Sequence, residues 1–128
     1  MKKNLLNKLC ATSILACTLL TAMPVAATTY LQQQITGSGY TDEVLLGSGT
    51  RYFYGDGSYL KGTAKAYKVV PWSPDTQVGN TLNVVFGQSQ QVTHFSAVNT
   101  NSDGEYQKYY GSWSGSSSKA SAYLSFSN

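Results

Sequence analysis

Apolar and polar residues alternate with a period of two over several stretches of the chain, as in a β-strand that buries one face. In residues 28–128, no apolar pattern repeats at helical spacing over three turns. The alternation predicts strands at residues 63–70, 81–86, 91–98 and 119–126. The inward-facing candidates in two of these are Leu82, Val84 and Phe86, and then Ala120, Ala122, Leu124 and Phe126. Residues 91–98 separate Val92, His94, Ser96 and Val98 from Thr93, Phe95 and Ala97.

Turn-forming residues separate these strands. Asp56-Gly57 within "YGDGS" (54–58) predicts a hairpin, because this dipeptide tolerates positive φ angles. "PWSPD" (71–75) has two prolines and is expected to end a strand. The other predicted turns are a hairpin loop at "FGQSQQ" (86–91), a polar loop at "NTNSDGE" (99–105) and a Gly/Ser turn around Trp113 at "GSWSGSSSK" (111–119).

Short strands with frequent turns predict an all-β fold, a small antiparallel β-sandwich of about six or seven strands. We expect the sandwich to comprise residues 51–128. Residues 28–50 are interpreted as an N-terminal arm or an edge strand, and the sequence leaves these two alternatives open.

Residues 1–27 have the layout of a secretory signal peptide. Lysines open the segment, a short apolar run follows, and Val25 and Ala27 occupy the −3 and −1 positions of a small-residue cleavage site. We expect cleavage after Ala27 and a secreted, extracellular product, and we favour a Gram-positive producer. A transmembrane anchor fits less well, because roughly 20 apolar residues are needed to span a bilayer. Lipidation at Cys17 also fits less well, because apolar sequence continues past it.

Loss of this segment would change the charge of the product. The chain has a formal net charge of +3, and the excess comes from the lysines of the predicted signal peptide. The remaining charges balance as six against six: Arg51, Lys61, Lys65, Lys68, Lys108 and Lys119 against Asp42, Glu43, Asp56, Asp75, Asp103 and Glu105. A neutral product argues against binding of nucleic acid or anionic lipid. Residues 28–128 contain no cysteine, so the product must fold without a disulfide.

His94 is the only histidine of the chain, which invites a catalytic interpretation. A Ser-His-Asp site also needs a nucleophile on a supported turn, and the sequence has no G-x-S-x-G motif. A zinc site normally draws several His, Cys or acidic ligands together. Since His94 stands beside Val92 on a predicted strand, the sequence favours a packed or half-buried imidazole over a ligand contact.

The acidic residues form no recognisable catalytic arrangement. Glycosidases need two carboxylates across a cleft, and the spacing here singles out no such pair. Turn formation already accounts for Asp56 and Asp103. The oxygen-rich loop at residues 99–105 lacks the EF-hand pattern, which leaves calcium as a minor alternative. We therefore expect a protein that is not an enzyme, without a catalytic residue, metal or cofactor.

Aromatic residues are concentrated in two places. The first group is Tyr52, Phe53, Tyr54 and Tyr59, and the second is Tyr106, Tyr109, Tyr110 and Trp113. Core packing explains part of each group, but strand alternation sends the other part to the surface. Tyr and Trp combine a large contact area with little rotamer entropy. We interpret Tyr109, Tyr110 and Trp113 as contacts for a binding target, with His94 as a supporting residue.

Short segments of the second half resemble the lactococcin 972-type bacteriocins, small exported proteins of Gram-positive bacteria. They are "THFSAVNTN" (93–101), "GSWSG" (111–115) and "KASAYLSF" (119–126), in the family's order and approximate spacing over residues 82–128. "YFYGDGS" (52–58) is a looser match. The chain departs from the family at residues 28–50 and at "PWSPD", and "NVVFGQSQ" replaces a stretch rich in Tyr and His.

The resemblance implies a secreted β-sandwich that binds the cell-wall precursor lipid II at the septum and forms homodimers. Our first hypothesis is accordingly a bacteriocin-like antimicrobial protein that acts on the Gram-positive cell envelope through an aromatic and polar face. A neutral product fits receptor binding better than pore formation, because most membrane-permeabilising peptides are basic amphipathic helices. The alternative is a non-toxic module that binds carbohydrate or the cell surface, and an enzyme ranks last.

Overall fold

The computed structural model describes residues 27–128, and every regular element in this part of the chain is a β-strand. The strands are β1 (Thr29–Thr36), β2 (Ser38–Tyr40), β3 (Val44–Leu45), β4 (Gly49–Tyr59), β5 (Lys61–Lys68), β6 (Thr76–Val85), β7 (Gln91–Ala97), β8 (Lys108–Gly115) and β9 (Ser121–Ser127). The predicted all-β class is confirmed. The predicted signal peptide lies outside the described residues, apart from its final residue Ala27.

Two antiparallel sheets pack face to face. The first has the strand order β1-β9-β4-β7, and the second has the order β2-β8-β5-β6, with β3 also paired to β8. The predicted β-sandwich is thus confirmed, although the described residues form nine strands rather than six or seven. The additional strands come from residues 28–50, which form β1 at an edge of the first sheet and the short strands β2 and β3 of the second.

The core lies between the sheets and follows the alternation of the strands. On β9, the predicted inward residues Ala122, Leu124 and Phe126 are all buried. Phe126 packs against Phe53 of β4 with 4.9 Å between the ring centroids. Full burial of a large apolar side chain contributes roughly 1.5–3 kcal/mol each, which lets a small domain fold without a disulfide.

The two faces predicted for residues 91–98 are confirmed, with Thr93, Phe95 and Ala97 buried. His94 is on the other face and is exposed, so the favoured packed imidazole is wrong. The reason is that no strand of residues 27–128 packs on the outer face of the first sheet. The His94 ring lies beside Tyr52 on that face, with 6.1 Å between centroids.

The "YGDGS" segment (54–58) forms most of the second half of β4 and not the predicted hairpin. Its glycines allow the backbone to approach the facing part of the chain closely and do not form a turn. A Cβ on Gly57 would lie 2.7 Å from the backbone nitrogen of Phe86. A Cβ on Gly55 would likewise lie 2.7 Å from Val84 Cγ2 of the facing sheet. The chain turns instead at Leu60, which has a φ of 58° and connects β4 of the first sheet to β5 of the second.

Three other predictions, on a turn, a hairpin loop and a buried residue, are wrong. The Gly/Ser turn begins after residue 115, because Trp113 belongs to β8. The predicted hairpin loop at 86–91 links β6 and β7, which lie in different sheets and do not pair with each other. Phe86 was expected inside with Leu82 and Val84, but it follows the last residue of β6 and is exposed.

Two predicted loops are confirmed. Residues 99–105 connect β7 to β8, and Asn101 Oδ1 organises this loop by accepting hydrogen bonds from the backbone nitrogens of Asp103 and Glu105. The "PWSPD" segment lies between the end of β5 and the start of β6. No helix of residues 27–128 is long and apolar enough to cross a membrane.

Candidate functional site

The outer face of the second sheet carries a depression of about 570 Å³, which we name the tyrosine groove. Its lining residues are Ser38, Gly39, Tyr40, Tyr67, Asp75, Tyr110, Ser112, Trp113 and Ser114. A smaller depression of about 280 Å³ adjoins it and shares three of these residues, Tyr40, Asp75 and Tyr110. Thr41 and Glu43 complete the smaller depression. Together they form one continuous recessed surface.

Strand register brings three tyrosines of the groove together. Tyr67 on β5 is directly opposite Tyr110 on β8, and Tyr40 on β2 is opposite Ser112, two positions further along β8. Residues two apart on a strand share a face, so all three rings stand on the same side of the sheet. The rings of Tyr67 and Tyr110 are stacked, with 5.4 Å between centroids and 19° between planes. Tyr40 meets Tyr110 edge-on at 5.6 Å and 81°.

Asp75 fixes the orientation of Tyr110. The Tyr110 hydroxyl donates a 2.8 Å hydrogen bond to Asp75 Oδ2, while Asp75 Oδ1 accepts one from the backbone nitrogen of Val70 at 3.0 Å. Burial of the phenol raises the pKa of Tyr110 above its ordinary value, and the hydrogen bond and negative charge of Asp75 raise it further. Tyr110 therefore stays protonated and is held in one orientation.

The charges that line the groove are negative. Asp75 and Glu43 supply carboxylates, and no Lys or Arg of residues 27–128 lines either depression. Glu43 lies 3.8 Å from the Nζ atom of Lys108, but this ion pair is exposed and contributes little. The groove and the smaller depression consequently offer aromatic faces, hydroxyl groups and carboxylate acceptors. Lys65 lies opposite Ser112 on the same sheet face, at the edge of this surface.

Only one of the four predicted contact residues, Tyr110, presents its ring to the groove. Tyr109 is 0% exposed, and its hydroxyl accepts a 3.0 Å hydrogen bond from the backbone nitrogen of Val98. Burial raises the pKa of Tyr109, and the hydrogen bond from Val98 opposes this shift. The expectation that Tyr109 is a surface contact is wrong, because β8 directs residues 109, 111 and 113 into the core.

Trp113, which the sequence suggests as a second surface contact, is also buried. It borders the groove but is only 2% exposed, and its indole nitrogen donates a 3.1 Å hydrogen bond to the Ala120 carbonyl. Its ring therefore supports the groove from below and does not project toward a ligand.

His94 lies on the opposite side of the molecule from the groove. It is on the outer face of the first sheet, where register places it opposite Tyr52 on β4. Tyr52 and Tyr123 are also exposed there, so this sheet carries a second, flatter aromatic surface. His94 cannot support a ligand that is held by Tyr110.

Sequence reasoning missed Tyr40, Tyr67 and Asp75. The alternation of residues 63–70 places Tyr67 on the face opposite Ala64 and Ala66, and this signal could have identified it as outward-facing. Tyr40 is in the segment 28–50, for which the sequence leaves two alternatives open. Asp75 belongs to "PWSPD", which the sequence predicts only as the end of a strand, and its partner Tyr110 is 35 positions away, which no local pattern reveals.

The groove is suited to binding through aromatic and hydrogen-bonding contacts. In residues 27–128, no group of three or more His, Cys, Asp or Glu side chains is placed to hold a metal ion. Comparison of the chain with protein-family models, with curated proteins and with solved structures finds no match.

Proposed function

We propose that the protein binds a glycan of the bacterial cell surface in the tyrosine groove, without catalysis. The observation that carries this proposal is the cluster of Tyr40, Tyr67 and Tyr110 beside Asp75 on an exposed sheet face. A sugar ring has apolar C–H faces and a polar rim of hydroxyl groups. Tyrosine offers an aromatic face together with a hydroxyl, and a carboxylate accepts hydrogen bonds from sugar hydroxyls.

The dimensions and rigidity of the groove support this proposal. Its volume of about 570 Å³ falls in the range of ligand sites, roughly 300–1,000 Å³. Tyr110 is braced by Tyr67 on one side and by Asp75 at its hydroxyl. A side chain that is already held in place loses little entropy when a ligand binds.

Charge narrows the class of ligand. Asp75 and Glu43 are the charged residues of residues 27–128 that line the two depressions, and no Lys or Arg there is placed to bind phosphate, so the lining does not favour nucleic acid or phosphate-rich polymers. A neutral glycan meets no such penalty. In a complex with a lipid-linked wall precursor such as lipid II, we expect the groove to hold the sugar part and not the pyrophosphate.

The bacteriocin hypothesis extends the same proposal. It rests on the resemblance in residues 82–128 and on the predicted signal peptide, and it adds that occupation of the glycan blocks wall synthesis in a target cell. A non-toxic surface-binding module would use the same groove without this consequence. Growth inhibition distinguishes the two.

The test is retention of the purified protein on insoluble peptidoglycan, with chitin and cellulose alongside. We expect the wild type to be retained on peptidoglycan and Tyr67→Ala to be lost in the wash. Tyr59→Ala is the matched control, because Tyr59 is half exposed, belongs to β4 of the first sheet and lines neither the tyrosine groove nor the smaller depression. Retention that survives Tyr67→Ala, or no retention of the wild type, would contradict the proposal. A spot assay of the same proteins on Gram-positive lawns then separates an antimicrobial protein from a non-toxic one.

A further inference from the structure

Trp72 is exposed to an unusual degree, at 98% of its surface, in the loop between β5 and β6. A tryptophan normally contributes to stability by burying its ring, and here that contribution is absent. Its backbone φ is 63°, in the left-handed region that bulky residues rarely occupy. Since neither feature benefits the fold, their coincidence points to a role in recognition.

The loop that carries Trp72 is firmly attached at its base. The backbone nitrogen of Val69 donates a 3.0 Å hydrogen bond to the Lys108 carbonyl. The side chain of Gln107, which is buried, donates to the Val69 carbonyl at 2.7 Å. Proline at positions 71 and 74 restricts the backbone on both sides of Trp72. The backbone that carries the indole is thus restricted, so less of the loop has to be ordered when a ligand binds.

Asp75 connects this loop to the tyrosine groove. One carboxylate oxygen holds Val70 within the loop, and the other holds Tyr110 within the groove. Trp72 is three residues before Asp75, so their Cα atoms lie within roughly 11 Å of each other. The backbone of Trp72 is therefore close to Asp75, a residue that lines the groove.

We propose that Trp72 is a second contact for the ligand. Its indole stacks on a sugar ring beyond the tyrosine groove, and the protein therefore binds an extended glycan chain more tightly than a short one. This inference rests on the proposed function. In this proposal the groove binds one part of the glycan chain, and Trp72 binds a neighbouring part of the same glycan. Aromatic faces of this kind bind flat apolar surfaces with little loss of rotamer entropy.

A lipid bilayer is the competing occupant for an exposed tryptophan, and the local charge disfavours it. The loops at this end of the sandwich, residues 41–48, 69–75 and 98–107, contain five acidic residues. Three cations adjoin them: Lys68 and Lys108 flank two of the loops, and Arg51 donates hydrogen bonds to the first. Five negative charges against three positive ones leave this end with an acidic excess. Anionic bacterial lipids attract basic segments and repel acidic ones. An uncharged glycan is therefore the ligand that these loops favour.

The experiment compares a disaccharide and a hexasaccharide of N-acetylglucosamine as ligands of the purified protein. We expect the wild type to bind the hexasaccharide about tenfold more tightly than the disaccharide, because the longer sugar gains the additional aromatic contact with Trp72. Trp72→Ala should lose this advantage and bind both with the affinity of the disaccharide. Its fold should be unaffected, because the side chain is exposed. Phe86→Ala is the control, since Phe86 is exposed at the other end of the sandwich and should change neither affinity.

Tryptophan fluorescence gives a second readout, because Trp113 is buried and Trp72 supplies the solvent-sensitive emission. We expect the hexasaccharide to change this emission and lipid vesicles to leave it unchanged. Equal losses for both ligands in Trp72→Ala, or no loss, would overturn the inference while leaving the proposed function in place. A response to phosphatidylglycerol vesicles without one to the hexasaccharide would also overturn it. Failure of the wild type to bind either sugar would overturn this inference, and retention on peptidoglycan decides the proposed function separately.

Discussion

The hydroxyl of Tyr110 and the carboxylate of Asp75, 35 positions apart in the chain, are joined by a hydrogen bond of 2.8 Å. This contact ties the outer face of β8 to the loop that follows β5. Because Asp75 also accepts a hydrogen bond from Val70, the same carboxylate determines the geometry of the groove and that of the Trp72 loop.

Removal of this contact should destabilise the protein moderately. We expect Tyr110→Phe to lower the free energy of unfolding by about 1 kcal/mol, because the site is partly exposed. Asp75→Ala should cost more, since it also removes the acceptor of the Val70 bond. Urea unfolding of both single variants and of the double variant measures the coupling. A double variant whose loss equals the sum of the single losses would show that the two residues do not interact.

Stability should fall in alkaline solution. The pKa values of Tyr109 and Tyr110 are raised in the folded protein, chiefly by burial, so the folded state holds these protons more tightly than the unfolded chain does. Their contribution is fully present below the ordinary tyrosine pKa of about 10 and is lost as the pH rises above it. Unfolding free energies measured across this range should decline less steeply for Tyr110→Phe than for the wild type. Parallel curves would argue against the raised pKa of Tyr110.

Gly57 should tolerate no side chain. The Cβ of Gly57→Ala would lie 2.7 Å from the backbone nitrogen of Phe86, directly after β6, and backbone cannot move aside as a flexible side chain can. We expect a loss of roughly 1–3 kcal/mol, as for other overpacked sites. Gly39→Ala is the matched control, because its Cβ would meet only Ile35 Cγ2 at 3.4 Å. Thermal melts of the two variants provide the comparison, and similar melting temperatures would refute the explanation given for the glycines of "YGDGS".

Trp72→Gly should make the protein more stable. Glycine adopts the left-handed backbone without the steric cost of a Cβ, and the exposed indole contributes no packing. We expect a gain of about 1 kcal/mol, which Trp72→Ala would not share because alanine keeps the Cβ. Chemical denaturation checks this directly. A less stable Trp72→Gly variant would mean that the indole stabilises its loop, which is not the role assigned to it here.

Much of the fold could be predicted from the sequence, because strands with one buried face have a clear period of two. The faces of β7 and β9 follow directly from the positions of Phe95, Leu124 and Phe126. The turns were harder, because a glycine serves two different needs. At Gly57 it allows a close approach between sheets, and the actual corner is at Leu60, a residue type that gives no turn signal.

The candidate site was only partly accessible to sequence reasoning. Clustering of aromatic residues identified Tyr110, but clustering does not say which neighbours face the core. The strand alternation of β8 separates Tyr110 from Tyr109, and this was hidden by the interpretation of residues 111–119 as a turn. Tyr40 and Tyr67 join the groove through the register of β2 and β5 against β8, which depends on long-range pairing.

The central claim is that the tyrosine groove is where the protein contacts a glycan. Chemical-shift mapping by NMR, with amide and indole resonances followed during titration with the N-acetylglucosamine hexasaccharide and with soluble peptidoglycan fragments, tests it most directly. We expect the shifts to centre on Tyr40, Tyr67, Asp75 and Tyr110 and to include the Trp72 indole. The opposite sheet face around Tyr52 and His94 should remain unchanged. Shifts that centre on that opposite face, or no shift with any of these ligands, would contradict the claim.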